Sequence, residues 1–218
     1  MDATEPNRKG RRCYDASGRQ ERARRQHDTS LDHARRLFLE DGYAATTVES
    51  IARAAGVSPA TVYKTYGGKA GLARELCRRA LLGSGGVPAQ TRSDALHAAG
   101  DGRAIAAGWG ELATEVSPRV SPLALVLRTA AESDREAAAL YAEISEARLR
   151  RMCDNARHLA VGGHLRASVT IEAARDVLWV CTSPEFYDLV VVQRGWTLER
   201  FGQLVADTII GSLLGAAS

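Results

Sequence analysis

The chain has 218 residues, 45% of them hydrophobic and 25% charged, with a formal net charge of +3. That length holds one small domain and one larger one, and no apolar stretch approaches the roughly 20 residues that a membrane-spanning helix needs; the longest candidate is the Leu-Val-Val-Val run inside Asp188–Gln193. Four scattered cysteines, Cys13, Cys77, Cys153 and Cys181, form no CxxC pair and no zinc spacing, which leaves no metal site to expect and no cofactor.

From Arg8 to Arg25 eight basic residues stand against two acidic ones, with Gly10, Ser17 and Gly18 among them. Residues 1–18 read as a disordered basic arm. Such an arm either follows phosphates and the minor groove beside a DNA site or adds only nonspecific affinity. No apolar core follows its charges, so it is not a secretory signal, and a cytoplasmic protein with reduced thiols is expected. Buried, inert thiols are expected at Cys77, Cys153 and Cys181. A first helix is predicted from about Arg19 to Asp41, where Leu31, Ala34, Leu37 and Phe38 repeat at helical spacing and Gly42 ends the run. Thr46 and Thr47 are placed to cap the next helix.

Residues 47–69 read TVESIARAAGVSPATVYKTYGGK, and they carry most of the functional information. Val48, Ile51, Ala52 and Ala55 share one helical face, and Gly56 stops that helix. Ser58 followed by Pro59 reads as an N-cap with proline at the first helical position. A short helix then runs to about Tyr66, with Val62 and Tyr66 inward. Two short helices across a tight glycine turn make a helix-turn-helix, whose second helix enters the DNA major groove. Ser58, Ala60, Thr61, Tyr63, Lys64 and Thr65 are left pointing outward, a set of hydroxyls and one cation suited to phosphates and base edges. Lys69 opens a further helix carrying Leu72, Leu76, Ala80 and Leu81.

The stretch FLEDGYAATTVESIARAAGVSPATVYKTYGGKAGL, residues 38–72, resembles the TetR family of transcriptional repressors. The family pattern is FxxxGYxxTTVxxIAxxAGVSxxTxYxxF with a KxxL exit, and the resemblance covers about residues 20–82. It implies a phosphate contact at Thr47, backbone contacts at Thr61 and Tyr63, and sequence selection at Lys64 and Thr65. It implies a phosphate contact at Lys69, and Ser58, Pro59 and Ala60 belong to the same DNA-facing set. Tyr66 takes the usual Phe position and is expected in the core. The chain departs from the pattern at Lys64, Thr65 and Gly67–Gly68, which leaves the operator sequence open.

The charge is divided in the sense this reading requires. Residues 1–82 carry 16 Arg and Lys against 10 Asp and Glu, a net of +6, and the rest carry 13 against 16, a net of −3. GSGGVP at 83–88 reads as a linker between a DNA-binding domain at 19–82 and a helical effector-binding and dimerisation domain at 83–218. Further helices are predicted at Ala95–Ala99, Arg103–Val116, Leu123–Ala131 beyond Pro118 and Pro122, Asp134 to about Ala160, Ile171–Cys181, and Leu198–Leu214. A new start is marked by Ser183-Pro184. The Leu189–Val192 run is the one place for a strand, though its flanks favour helix.

The segments Ile171–Gln193 and Leu198–Leu214 are apolar on more than one side, so a second copy of the chain is expected against them, with Val205, Ile209 and Leu213 near the centre. A family-type effector pocket is expected among Trp109, Leu112, Leu125, Thr129, Tyr141, Ile144, Met152, Trp179 and Tyr187, a lining suited to a planar apolar ligand. No catalytic constellation appears: there is no GxSxG, HExxH or P-loop, and no histidine has a convincing ligand partner. The sequence therefore reads as an all-α, homodimeric DNA-binding regulator, a repressor released from a palindromic operator by a small apolar or aromatic effector. The alternatives are an effector-independent DNA binder and a helical enzyme.

Overall fold

The computed structural model describes residues 16–83 and 85–215, and these are helices joined by short turns. The order is α1 (Ala16–Glu40), α2 (Val48–Ala54), α3 (Pro59–Tyr66), α4 (Lys69–Leu82), α5 (Ala89–Leu96), α6 (Gly102–Ala130), α7 (Arg135–Val161), α8 (Ile171–Cys181), α9 (Pro184–Tyr187) and α10 (Leu198–Leu213). Among the described residues the sole sheet-like feature is a bridge between Leu165 and Leu214. Most of the expected arm, residues 1–15, lies outside the described residues. Its last three residues, 16–18, form the first turn of α1. Cys13 lies outside as well.

The local signals account for most boundaries. Asp134 caps α7, its carboxylate accepting from the backbone N–H groups of Glu136 and Ala137. Thr170, Ser183 and Thr197 cap α8, α9 and α10 in the same manner. Two expectations differ from the fold. The helix expected at Ala95–Ala99 starts earlier, at Ala89, and His97–Ala99 continues it as a 3-10 turn. Its inward residues are the small Ala89 and Ser93, so it has no large apolar stripe to reveal it. The Leu189–Val192 run is helical, as its flanks favoured, and forms a π-helical continuation of α9, Asp188–Gln193.

The second difference is larger. The two helices expected on either side of the prolines are one helix of 29 residues, α6, with Pro118 and Pro122 inside it. Each interior proline loses a ladder hydrogen bond and costs about 3 kcal/mol. Packing offsets that cost, because α6 serves two cores. Ile105, Ala106, Trp109 and Ala113 lie in one, and Leu123, Leu127 and Ala130 lie in the other. Burying each of the four largest of these contributes about 1.5–3 kcal/mol.

The first core gathers α1–α4 around Leu31, Phe38, Ile51, Val62 and Leu72, and it takes in the end of α6 and the start of α7 through Leu127 and Leu140. The second joins α6, α7, α8 and α10 around Trp109, Leu159, Leu178, Phe201 and Ile209. Cys77 and Cys181 are buried, and burial pushes both thiols up to about 11; Cys153 is only half-buried, unlike the expectation. The expected interface residues Val205, Ile209 and Leu213 are fully buried within this one chain. They pack into the second core, so they cannot form the centre of a contact with a second copy. A helix apolar on two sides does not say which side its own domain takes.

Candidate nucleic-acid interface

The turn between α2 and α3 is built by backbone hydrogen bonds that need a left-handed residue. Gly56 has φ +66 and donates to Arg53 O, and Val57 donates to Ala52 O at 2.9 Å. Ala52 is fully buried at the crossing. Ser58 then caps α3, its hydroxyl accepting from Thr61 N at 3.2 Å and sharing a 2.9 Å hydrogen bond with the Thr61 hydroxyl. Gly67, φ +77, closes α3 by donating to Tyr63 O at 2.8 Å. Gly71 lets α4 begin directly after it: a Cβ there would sit 1.6 Å from Tyr66 O.

Only Val62 of α3 is buried. Ser58, Pro59, Ala60, Thr61, Tyr63, Lys64 and Thr65 are all exposed, and Tyr63 keeps 51% of its surface. Thr47 is exposed too, at the N-cap of α2, where its hydroxyl accepts from Ser50 N while Ser50 Oγ accepts from Thr47 N. Thr46 takes a different role from the one expected. It is buried and donates to Gly42 O and Leu37 O, pinning the loop that enters α2. Tyr66 is half-buried against the first core, its hydroxyl donating to His27 O at 3.0 Å. Burial pushes its pKa up to about 12, so it stays a neutral donor.

Lys69 departs from its expected place. Its ammonium points inward, donating to Tyr43 O at 2.9 Å, sitting 4.2 Å from the Tyr43 ring centroid and 3.7 Å from Asp134 Oδ2. Its side chain is 18% exposed. A phosphate reaches it only in competition with Asp134. The sequence offered no warning, because Asp134 lies 65 positions further on.

The nine candidates for an effector pocket are divided between the two cores and the surface. Thr129 is exposed. Tyr141 and Ile144 pack on the first core, while Trp109, Met152, Trp179 and Tyr187 belong to the second. Leu112 and Leu125 are half-buried on α6. Trp109 donates its indole N–H to Ser93 Oγ at 3.0 Å, a satisfied core position. A narrow cleft lined by Phe38, Tyr43, Ala73, Leu123, Val126 and Leu127 is too tight for water, and none of the nine lines it. Arg148, on α7, stacks on Trp179, one of the nine. Among the described residues no cluster of three or more His, Cys, Asp and Glu is placed to hold a metal, and no helix is long and apolar enough to cross a membrane.

Together these features define a helix-turn-helix module with an open second helix, set on an all-α body. Residues 31–76 match the bacterial regulatory proteins of the tetR family. It is a family of regulators, not of enzymes. Over 64 residues the chain is 38% identical to the uncharacterised HTH-type transcriptional regulator YvkB of Bacillus subtilis (strain 168). That match takes in 29% of this chain and about a third (34%) of that protein.

The fold of the whole chain is similar to solved structures. NalD, the secondary repressor of the MexAB-OprM multidrug efflux pump of Pseudomonas aeruginosa, aligns with a TM-score of 0.70 at 20% identity, over 90% of this chain and 100% of that one. The SmeT–triclosan complex aligns with a TM-score of 0.69 at 20% identity, over 88% of this chain and 93% of that one. SmeT is the repressor of the SmeDEF multidrug efflux pump of Stenotrophomonas maltophilia.

Proposed function

We propose that this chain is a DNA-binding transcriptional regulator of the cytoplasm, acting as a homodimeric repressor that a small effector releases from a palindromic operator. One observation carries the reading. Every outward side chain of α3 is open, while both ends of that helix are tied off by the protein's own caps. A helix so presented, beside the more positive part of the chain, suits the major groove.

Thr47, Ser58, Thr61 and Tyr63 are proposed to hold phosphates, and Lys64 and Thr65 to select bases, with Pro59 and Ala60 setting the approach of the helix. Lys69 joins the phosphate contacts when it leaves Asp134. Residues 19–82 are the proposed reading head, and residues 83–218 the proposed effector and dimer body. The repressor sense is supported by the roles of NalD and SmeT, both repressors of efflux pumps. Triclosan on SmeT is a precedent for a small aromatic effector.

A second copy of the chain is proposed to cover Val180, Leu189 and Val192. These are 57%, 52% and 61% exposed, large apolar side chains left open on the expected helices. The test is protection of DNA beside the gene that encodes this protein. A footprint with two-fold symmetry supports the reading, and no protected site rejects it.

A further inference from the structure

We propose that Arg148 is the anion-reading residue of a binding site for a small organic monocarboxylate with an apolar body, formed where α7 faces α8 and the start of α9. The inference rests on the effector part of the proposed function and deepens it by naming the ligand class.

Tyr141, Ile144, Arg148 and Met152 follow one another on α7 at steps of three, four and four, one stripe of the helix. Three are apolar or aromatic and the fourth is a guanidinium. The Arg148 guanidinium carbon lies 3.3 Å from the centroid of the Trp179 ring. Its Nη1 donates to Trp179 O at 2.6 Å and to Thr182 Oγ1 at 3.2 Å. Both acceptors are neutral. Among the described residues no carboxylate lies within ion-pair distance of it, and Glu185, an acid near enough to favour its charge, is engaged by Arg128 at 2.6 Å. Burial pulls its pKa down to about 10, and it remains charged at neutral pH.

A half-buried cation without a counter-ion is unfavourable unless something pairs with it. The other half-buried guanidiniums nearby on the same body do not share this condition. Arg151 pairs with Asp94, and Arg92 pairs with Glu115. The unused part of Arg148 has a definite shape. Its Nε and Nη2 make no hydrogen bond to the described residues, and neither is sealed from solvent. Those two N–H groups form the side edge of the fork, parallel and spaced for the two oxygens of a carboxylate. Tyr141 and Ile144, half-buried two turns and one turn earlier on the same stripe of α7, supply apolar surface for the body of the ligand. One guanidinium with Glu185 nearby suits a single negative charge better than a phosphate dianion.

The test uses the full chain and two acids, benzoate and octanoate, each against its neutral counterpart, benzamide and octanol. Binding is followed by tryptophan fluorescence, since Trp179 lies under the guanidinium, and by calorimetry. The acids are expected to bind at least about tenfold tighter than their neutral counterparts. Arg148→Met should abolish that discrimination while melting at the same temperature or higher, because it removes an unpaired charge. Arg148→Lys, which keeps the charge and loses the fork, should retain part of it. Equal binding of acids and neutral compounds, no binding of either, or unchanged discrimination in Arg148→Met would overturn the proposal. So would a lower melting temperature in Arg148→Met, which would make the guanidinium structural. DNA protection by the wild-type protein is measured separately: its loss rejects the regulator reading, whereas failure of the acids with protection intact rejects this inference alone.

Discussion

Tyr63 and Lys64 are neighbours on α3 with different expected roles. Tyr63 offers a phenol at the helix surface, and Tyr63→Phe removes only its hydroxyl. The loss should weaken binding to every DNA sequence by a similar factor, on the order of 1 kcal/mol for one phosphate hydrogen bond. Lys64→Ala should instead change the ranking of operator variants. Titrations against several duplexes separate the two, and equal affinity of wild type and Tyr63→Phe would contradict the first. Asp134 gives a further test because its two oxygens act separately. Oδ1 caps α7, and Oδ2 faces Lys69. Asp134→Asn keeps an oxygen for the cap, and asparagine is as good an N-cap as aspartate. It removes the charge that holds the lysine. DNA affinity should rise, and the slope of log K against log salt should steepen by about 0.9, one added phosphate contact. An unchanged slope would mean that Lys69 stays inside the protein on DNA.

Among the helices, those with short-range punctuation were legible in the sequence. Ser58-Pro59, Ser183-Pro184 and Thr197 mark starts by hydrogen bonds that close within three residues, so neighbours suffice to reveal them. α6 was not legible, because the local rule at Pro118 and Pro122 was overruled by packing against residues far along the chain. The crossing of α6 and α10 was hidden for the same reason. Gly110 and Gly202 meet there, and a Cβ on Gly202 would lie 2.7 Å from Gly110 O and 2.5 Å from Thr114 Cγ2. Gly202→Ala should therefore destabilise by about 1–3 kcal/mol, through overpacking against backbone. Gly211 sits in the same helix with open space around its Cβ position. Gly211→Ala should stabilise by about 0.5–1 kcal/mol. Thermal melts of both variants check the signs, and a stabilising Gly202→Ala would mean that the helices do not cross at this distance.

The assembled protein depends on contacts that no single segment reveals. The sequence indicated that α8 and α10 have two apolar sides, but only the fold shows that Val205, Ile209 and Leu213 face inward. A charge at Ile209 would unfold the body instead of separating two copies. The informative change is Leu189→Asp combined with Val192→Asp, both on exposed positions. Sedimentation should then report monomers with native helix content, and operator affinity should fall by tenfold or more, since one recognition helix reads few base pairs. A dimer unchanged by both charges would place the interface elsewhere. DNA reading by α3 underlies the expectations for Tyr63, Lys64 and Asp134 and the expected fall in operator affinity. It is tested most directly by selecting tight binders from a pool of random duplexes with the purified full-length protein, with the Thr61→Ala, Tyr63→Phe, Lys64→Ala triple variant run in parallel. The wild type should enrich one palindromic sequence, and the variant should enrich none; a wild type that enriches no sequence, or a variant that enriches the same palindrome, would contradict DNA reading by this helix.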